Sequence, residues 1–239
     1  MRVGMGLGLG ARSAAPEWTP ARLGFTAWYR ADQGITLNGS TVSQWDDISG
    51  NGNHLVQGTG SAQPTYVASS SYFGVPALSF DGGDRMNCAA LSATIKEITY
   101  FAVGRGVTVA NNGIAAITNG GTVNTGTAMF YTAGAMTVRR ASTGGAAKAV
   151  TYAAKHVVIG TADATAANIY VDSATAGTAE GAKAYTGYSH LTVGDIANAL
   201  IYPWNGEIAE VGILNRVATA AEISALLSYA SRRYGITIA

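Results

Sequence analysis

The sequence predicts an all-β chain folded as a two-sheet antiparallel sandwich and closed by one C-terminal helix. Three observations predict it. Short runs of β-branched and aromatic residues recur between clusters of Gly, Asn, Asp and Ser. The 31 glycines imply many turns and little helix. One long segment, at the C-terminus, carries its apolar residues at helical spacing. The 239 residues suffice for one large core without disulfide or metal staples.

Residues 1–22 read as an arm. Gly4, Gly6, Gly8 and Gly10 alternate with Met5, Leu7 and Leu9, a period of two that cannot make an amphipathic helix. Such a segment gains order only by adding to a neighbour's sheet edge, so Met5, Leu7, Leu9 and Arg12 are expected to form an assembly arm. Glycine at every second position breaks the apolar run that a signal peptide needs. Pro16 and Pro20 stiffen the connection to a body at 23–239.

Strands are predicted in turn at 25–29, 42–45, 77–80, 97–103 and 114–118. A hairpin around Ala133-Gly134 is predicted to join 128–131 to 136–139, and further strands are placed at 157–159, 168–171, 191–194 and 207–214. Roughly a dozen short strands between turn clusters argue a two-sheet sandwich. The stretch from about 105 to 150 is poor in large residues and is expected to be peripheral. In the closing segment, Thr219 and Glu222 have capping-box spacing, and Ile223, Leu226, Leu227, Ala230 and Tyr234 form an apolar stripe. Arg232 and Arg233 suit the last turn, and Gly235 the stop, of a helix over 219–234.

Composition narrows the function classes. Charged residues make up 12% of the chain, about half the usual level of roughly 25%. Lightly charged surfaces are cheap to desolvate and suit packing against neighbours. A net charge of +1 gives no basic face for nucleic acid. The single Cys88 excludes an internal disulfide, and no stretch reaches the roughly 20 apolar residues of a membrane helix.

Four segments carry a family resemblance. They are Ala27-Trp28-Tyr29-Arg30-Ala31-Asp32; Val42 to Leu55, with Trp45-Asp46-Asp47-Ile48-Ser49-Gly50-Asn51-Gly52-Asn53 at its centre; Gln63-Pro64-Thr65 followed by Pro76-Ala77-Leu78-Ser79-Phe80-Asp81-Gly82; and Gly206 to Arg216. In this order they resemble the laminin-G-like, concanavalin-A-like lectin/glucanase jelly rolls, most of all versions in bacteriophage structural proteins and bacterial surface proteins. The resemblance spans roughly residues 25–236 and implies a jelly-roll sandwich. It does not carry a ligand with it, because such scaffolds host many functions. It also raises calcium, which relatives hold at a sandwich rim. Asp46, Asp47, Asn51 and Asn53 supply hard oxygen donors in one loop, with Asp81 or Asp84 to approach from another, although turn-making serves the same residues.

The chemistry expected of the chain is binding. Glucanases of the superfamily carry their carboxylates on one strand as Glu-x-Asp-x-x-Glu, and no such string is present. Glu207 and Glu210 stand three apart, which on a regular strand places them on opposite faces. His54, His156 and His190 lack metal-ligand spacing, and no Gly-x-Ser-x-Gly elbow occurs. Tyr188, Tyr202, Trp204 and Asn205, with Tyr185 and Asn198 nearby, offer aromatic and amide groups for stacking on a sugar; packing of Trp204 against the C-terminal helix is the competing role.

The expected function is therefore a bacteriophage virion structural protein, a decoration or tail-associated jelly roll. It would be assembled in the host cytoplasm, attached to capsid or tail subunits through its arm, and present as a homo-oligomer or in repeated copies. The alternative is a carbohydrate-binding module for host-surface glycans. A hydrolase comes last. No cofactor, nucleic acid or membrane partner is expected.

Overall fold

A computed structural model describes residues 18–107, 111–120, 126–132, 134–140, 145–181, 187–196 and 200–239. The strands among them are β1 (Ala27–Arg30), β2 (Ile35–Asn38), β3 (Thr41–Trp45), β4 (Leu55–Val56), β5 (Thr65–Val67), β6 (Ala77–Asp81), β7 (Met86–Cys88) and β8 (Ile98–Gly106). They continue with β9 (Asn112–Thr118), β10 (Thr127–Thr132), β11 (Ala135–Arg140), β12 (Ala146–Ala149), β13 (His156–Ala162), β14 (Ala167–Val171), β15 (His190–Val193) and β16 (Asn205–Leu214), before helix α1 (Ala220–Tyr234). Met5, Leu7, Leu9 and Arg12 lie outside the described residues.

Pairing follows one path, β12-β11-β10-β9-β15-β7-β4-β3-β5-β6-β16-β8-β13-β14, with β1 added to β16 and β2 to β3. The pairings are antiparallel. The path folds over, bringing β11 against β13 and β14, so a two-layer jelly-roll sandwich encloses the core. Trp45, Tyr29, Tyr100, Tyr131, Trp204, Phe80 and Leu78 fill it, each almost wholly buried. The predicted hairpin is present, with Phe130 opposite Thr137 and Thr132 opposite Ala135. The stretch expected to be peripheral is not so: Ile114, Ile117, Met129, Met136 and Val138 all point into this core. Small residues between them let the layers approach closely, and a Cβ on Gly160 would come within 3.0 Å of Val138.

A second apolar layer lies outside β8, β13 and β16. Tyr100 and Ala102 face the inner core while Phe101 and Val103 face outward, and Val158 and Val157 divide likewise. Strands buried on both faces read as continuous apolar runs, which is what 98–103 shows. Helix α1 covers the outer face with Ile223, Leu226, Leu227, Ala230 and Tyr234. Its capping box forms as spaced: Thr219 Oγ1 accepts from the Glu222 N–H, and the Glu222 carboxylate accepts from the Thr219 N–H. Arg216 grips the same carboxylate through two nitrogens at 2.8 Å and holds Glu222 at about 2, well below its ordinary value. Trp18 and a 3-10 turn at Pro20–Leu23 already pack on this layer, Trp18 edge-on to Tyr229. Trp18 and Leu23 thus pack on the body of the fold.

Candidate ligand-binding rim

Several carboxylates and aromatics that stand out in the sequence are structural. The acid pair on β16 comes first. A bulge between Ile208 and Glu210 shifts the register, so Ala209 and Glu210 both follow Glu207 onto the helix-covered face. The expectation of opposite faces fails because it assumes an unbroken period of two. Glu210 is fully buried beneath α1 and accepts hydrogen bonds from Trp28 Nε1 (2.6 Å), Tyr229 Oη (3.0 Å) and Tyr234 Oη (2.5 Å). Burial raises its pKa to about 6 against these donors. Glu207 is hydrogen-bonded by Ser70 Oγ.

The Ser-Gly-Asn-Gly-Asn loop is equally committed. Buried Asp47 accepts from the Trp28 and Ser49 N–H groups through Oδ1, and from Ser49 Oγ and the Asn53 N–H through Oδ2. Asn51 and Asn53 donate through their amides to carbonyls of Phe25 and Thr26. Asp46 faces His54 at 3.1 Å and accepts from Gln44. Among the described residues no group of three His, Cys, Asp or Glu side chains could hold a metal ion. Of the donors proposed for calcium, Asp47, Asn51 and Asn53 stitch the loop to residues 25–28, and Asp46 bonds within the loop's own strand.

Trp204 is also internal. It has no exposed surface and stacks on Tyr131 at 5.4 Å, against Gly104 and Gly106. It neither offers a platform to a sugar nor packs on the helix. The backbone N–H of Trp204 bonds the Gly194 carbonyl at 2.8 Å, which turns the indole inward.

What remains open is the end of the sandwich where β6, β8 and β15 finish and β9 and β16 begin. Gly194 starts the long loop there with φ +87°, and a Cβ on it would lie 2.4 Å from the Phe80 ring, so only glycine fits. Asp195, fully buried, closes the loop by accepting from the Ile196 (2.7 Å) and Tyr202 (2.9 Å) N–H groups. The Tyr202 carbonyl accepts from Gly113 on β9. Held at both backbone groups, Tyr202 lays its ring flat on Phe130, with centroids 5.8 Å apart and planes 10° apart. Arg139 rests on the Phe130 ring at 4.9 Å. A shallow cavity of about 380 Å³ opens beside Tyr202, lined also by Gly82, Asn111, Asn112, Ile201, Pro203 and Asn205. No carboxylate among the described residues lines it.

The structure thus brings Tyr202 and Asn205 together and separates them from Tyr188. Tyr188 sits before β15, at the other end of that strand, bridged to Ile95. Tyr185 and Asn198 lie outside the described residues. Asn112 escaped the sequence reading; its Oδ1 accepts from the Asn205 N–H at 3.3 Å. Only the strand start at 112, directly after Asn111, could have marked it.

His156, at the start of β13, is held at the same end. Its Nδ1 is 2.5 Å from Asp172 Oδ2 and its Nε2 is 2.9 Å from the Thr151 carbonyl. Two acceptors suit the doubly protonated ring. Burial lowers its pKa, but these hydrogen bonds outweigh that and leave it raised.

Comparisons with known proteins bear on the fold. The family model described as the concanavalin A-like lectin/glucanases superfamily matches residues 105–224. Domain 4 of AbnA, a GH43 extracellular arabinanase from Geobacillus stearothermophilus solved with arabinotriose, is similar with TM-score 0.60 and 12% identity, covering 85% of this chain and 98% of that one. A GH54 arabinofuranosidase is similar with TM-score 0.66 and 12% identity, over 89% of this chain and 64% of its own. The binding domain of botulinum neurotoxin serotype G gives TM-score 0.59 at 12% identity over 87% of this chain, which spans 51% of that domain. No curated protein matches the chain.

Proposed function

The chain belongs to the concanavalin A-like lectin/glucanases superfamily, and from that premise we propose that it is a non-catalytic carbohydrate-binding module that takes its ligand at the loop rim. One observation carries the reading: the cavity lined by Tyr202, partly exposed and backed by Phe130, together with Asn111, Asn112 and Asn205. A fixed aromatic beside amides is suited to an amphipathic ring rich in hydroxyls. The arabinotriose complex of a similar domain, matched over nearly its whole length, supports the same reading. Hydrolysis would need two carboxylates across the bound bond. Among the described residues the rim cavity presents none, and Glu210 is sealed under α1.

The test is titration of the protein with arabinotriose and a panel of other oligosaccharides. Tyr202→Ala and Asn205→Ala should each weaken binding about tenfold or more, a loss on the order of 1.4 kcal/mol, with the melting temperature unchanged. A blank panel, or binding that ignores both substitutions, overturns the proposal.

The virion reading is secondary. Its support is the low charge and the glycine alternation at residues 4–10, and it is compatible with glycan binding, since a particle can display such a module. Deleting residues 1–17 should then release the protein from phage particles while leaving its fold intact. Retained attachment would sink it.

A further inference from the structure

A second cavity, of about 530 Å³, opens at the same end of the sandwich. Ser71-Tyr72, Thr151, residues 153–156 and residues 235–237 line it, together with Asp172. It neighbours the Tyr202 cavity across the end of β8. Val107, which follows that strand, donates to the Asn205 carbonyl of the first cavity. Two residues earlier, Arg105 donates through Nε to the carbonyl of Ala153, which lines the second.

The second cavity is chemically unlike the first. Tyr72 is 42% exposed, and the Arg105 guanidinium lies on its ring 3.6 Å from the centroid. Among the described residues, the Nε bond to Ala153 is the one hydrogen bond Arg105 makes, so its two terminal nitrogens keep their donors. Lys155 donates once, to the Tyr234 carbonyl at 2.6 Å, and forms no ion pair with a described residue.

Among the described residues two side-chain carboxylates are near, and both are occupied. Asp172 binds His156 through Oδ2 and the Val157 N–H through Oδ1. Glu207 stands opposite Arg105 in the strand register, but its carboxylate bonds Ser70 Oγ and makes no ion pair with Arg105. An incoming ligand therefore meets donors and positive charge from Arg105 and Lys155, an aromatic edge from Tyr72, and the hydroxyl-bearing Ser71, Thr151 and Thr237.

We propose that this cavity is an anion-reading subsite and that the saccharides bound at the rim are acidic, carrying carboxylate or sulfate groups recognised by Arg105 and Lys155. The proposal rests on the carbohydrate-binding reading and adds the substrate class. Guanidinium and ammonium groups both recognise such oxyanions, the former in a planar fork. Between partly exposed groups the attraction weakens with salt.

The experiment is calorimetric titration with three probes, a galacturonic acid trisaccharide, a carrageenan tetrasaccharide that bears sulfate but no carboxylate, and neutral arabinotriose, at low and raised ionic strength. At least one acidic probe should bind about tenfold more tightly than arabinotriose at low salt and lose that margin as salt rises. Which of the two does so distinguishes carboxylate from sulfate. Arg105→Gln and Lys155→Gln should each cut acidic binding severalfold and leave arabinotriose unchanged, with melting curves confirming the fold. Binding of arabinotriose with no preference for either acid overturns the subsite alone. So does an equal loss for all probes in both variants. Failure of all three probes to bind overturns this proposal, and the carbohydrate reading falls with it only if the wider oligosaccharide panel is blank as well.

Discussion

Two loop regions of this molecule are built from the same residue types and do opposite things. The 46–53 loop and the rim formed by 194–196 and 200–206 with 111–112 are both rich in Asp, Asn, Gly and aromatic neighbours. In the first, Asp47 takes four hydrogen bonds, and Asn51 and Asn53 reach back to the start of β1. In the second, buried Asp195 and Asn112 hold the backbone while Asn111, Tyr202 and Asn205 border a cavity. A polar loop leaves its side chains open to a ligand only if the fold satisfies its backbone by other means. Composition does not distinguish the two; the destination of each polar atom does.

That contrast can be broken by substitution. The largest effect is expected within the rim itself, where Trp204 and Tyr202 stand two residues apart. Trp204→Ala removes a fully buried ring from the core and should cost about 4 kcal/mol of stability. Tyr202→Ala should leave the denaturation midpoint nearly in place while weakening saccharide binding. Urea melts of both variants, beside titrations, check the pair. A stable Trp204→Ala protein would show that the indole is not structural.

The 46–53 loop should respond like the core. Asp47→Ala strips the acceptor from three backbone N–H groups and one hydroxyl in a buried setting. A loss of about 3 kcal/mol is expected, with no change in saccharide affinity once the protein is refolded at low temperature. A calcium-dependent melting temperature in the wild type would instead restore the metal reading of this loop.

The smallest effect concerns the carboxylate under α1. Burial raises Glu210 from its ordinary 4.5 to about 6. The folded state then holds the proton more tightly than the unfolded chain between those values. The stabilisation is complete below about 4.5 and is lost as pH rises through about 6, a decline of ~2 kcal/mol. Glu210→Gln should flatten stability across that window. An unchanged pH profile would mean that the three donors from Trp28, Tyr229 and Tyr234 outweigh burial.

Much of the scaffold was legible. The runs at 42–45, 77–80, 98–103 and 128–139 announced themselves because each alternates or stays apolar between turn residues, and α1 because its cap and stripe are local. Short strands such as β4 and β7 left no such mark; two or three residues carry too little pattern, and neighbours already in place recruit them. Of the rim, Tyr202 and Asn205 were visible as an aromatic and an amide in a turn. Trp204 was misplaced because a residue's face cannot be read through an irregular loop.

The sequence by itself determined a jelly-roll sandwich with one capped helix, since periodicity, turn residues and capping act over a few neighbouring positions. Only the tertiary structure decided which polar residues face a cavity. The bulge at Ile208–Glu210 put both β16 acids on one face and buried Glu210, and the bonds from Gly194 and Asp195 turned Trp204 inward and Tyr202 toward the rim. Those outcomes depend on contacts between residues far apart in the chain, such as Gly194 with Phe80 and Arg105 with Tyr72, and such contacts exist only once the layers have closed.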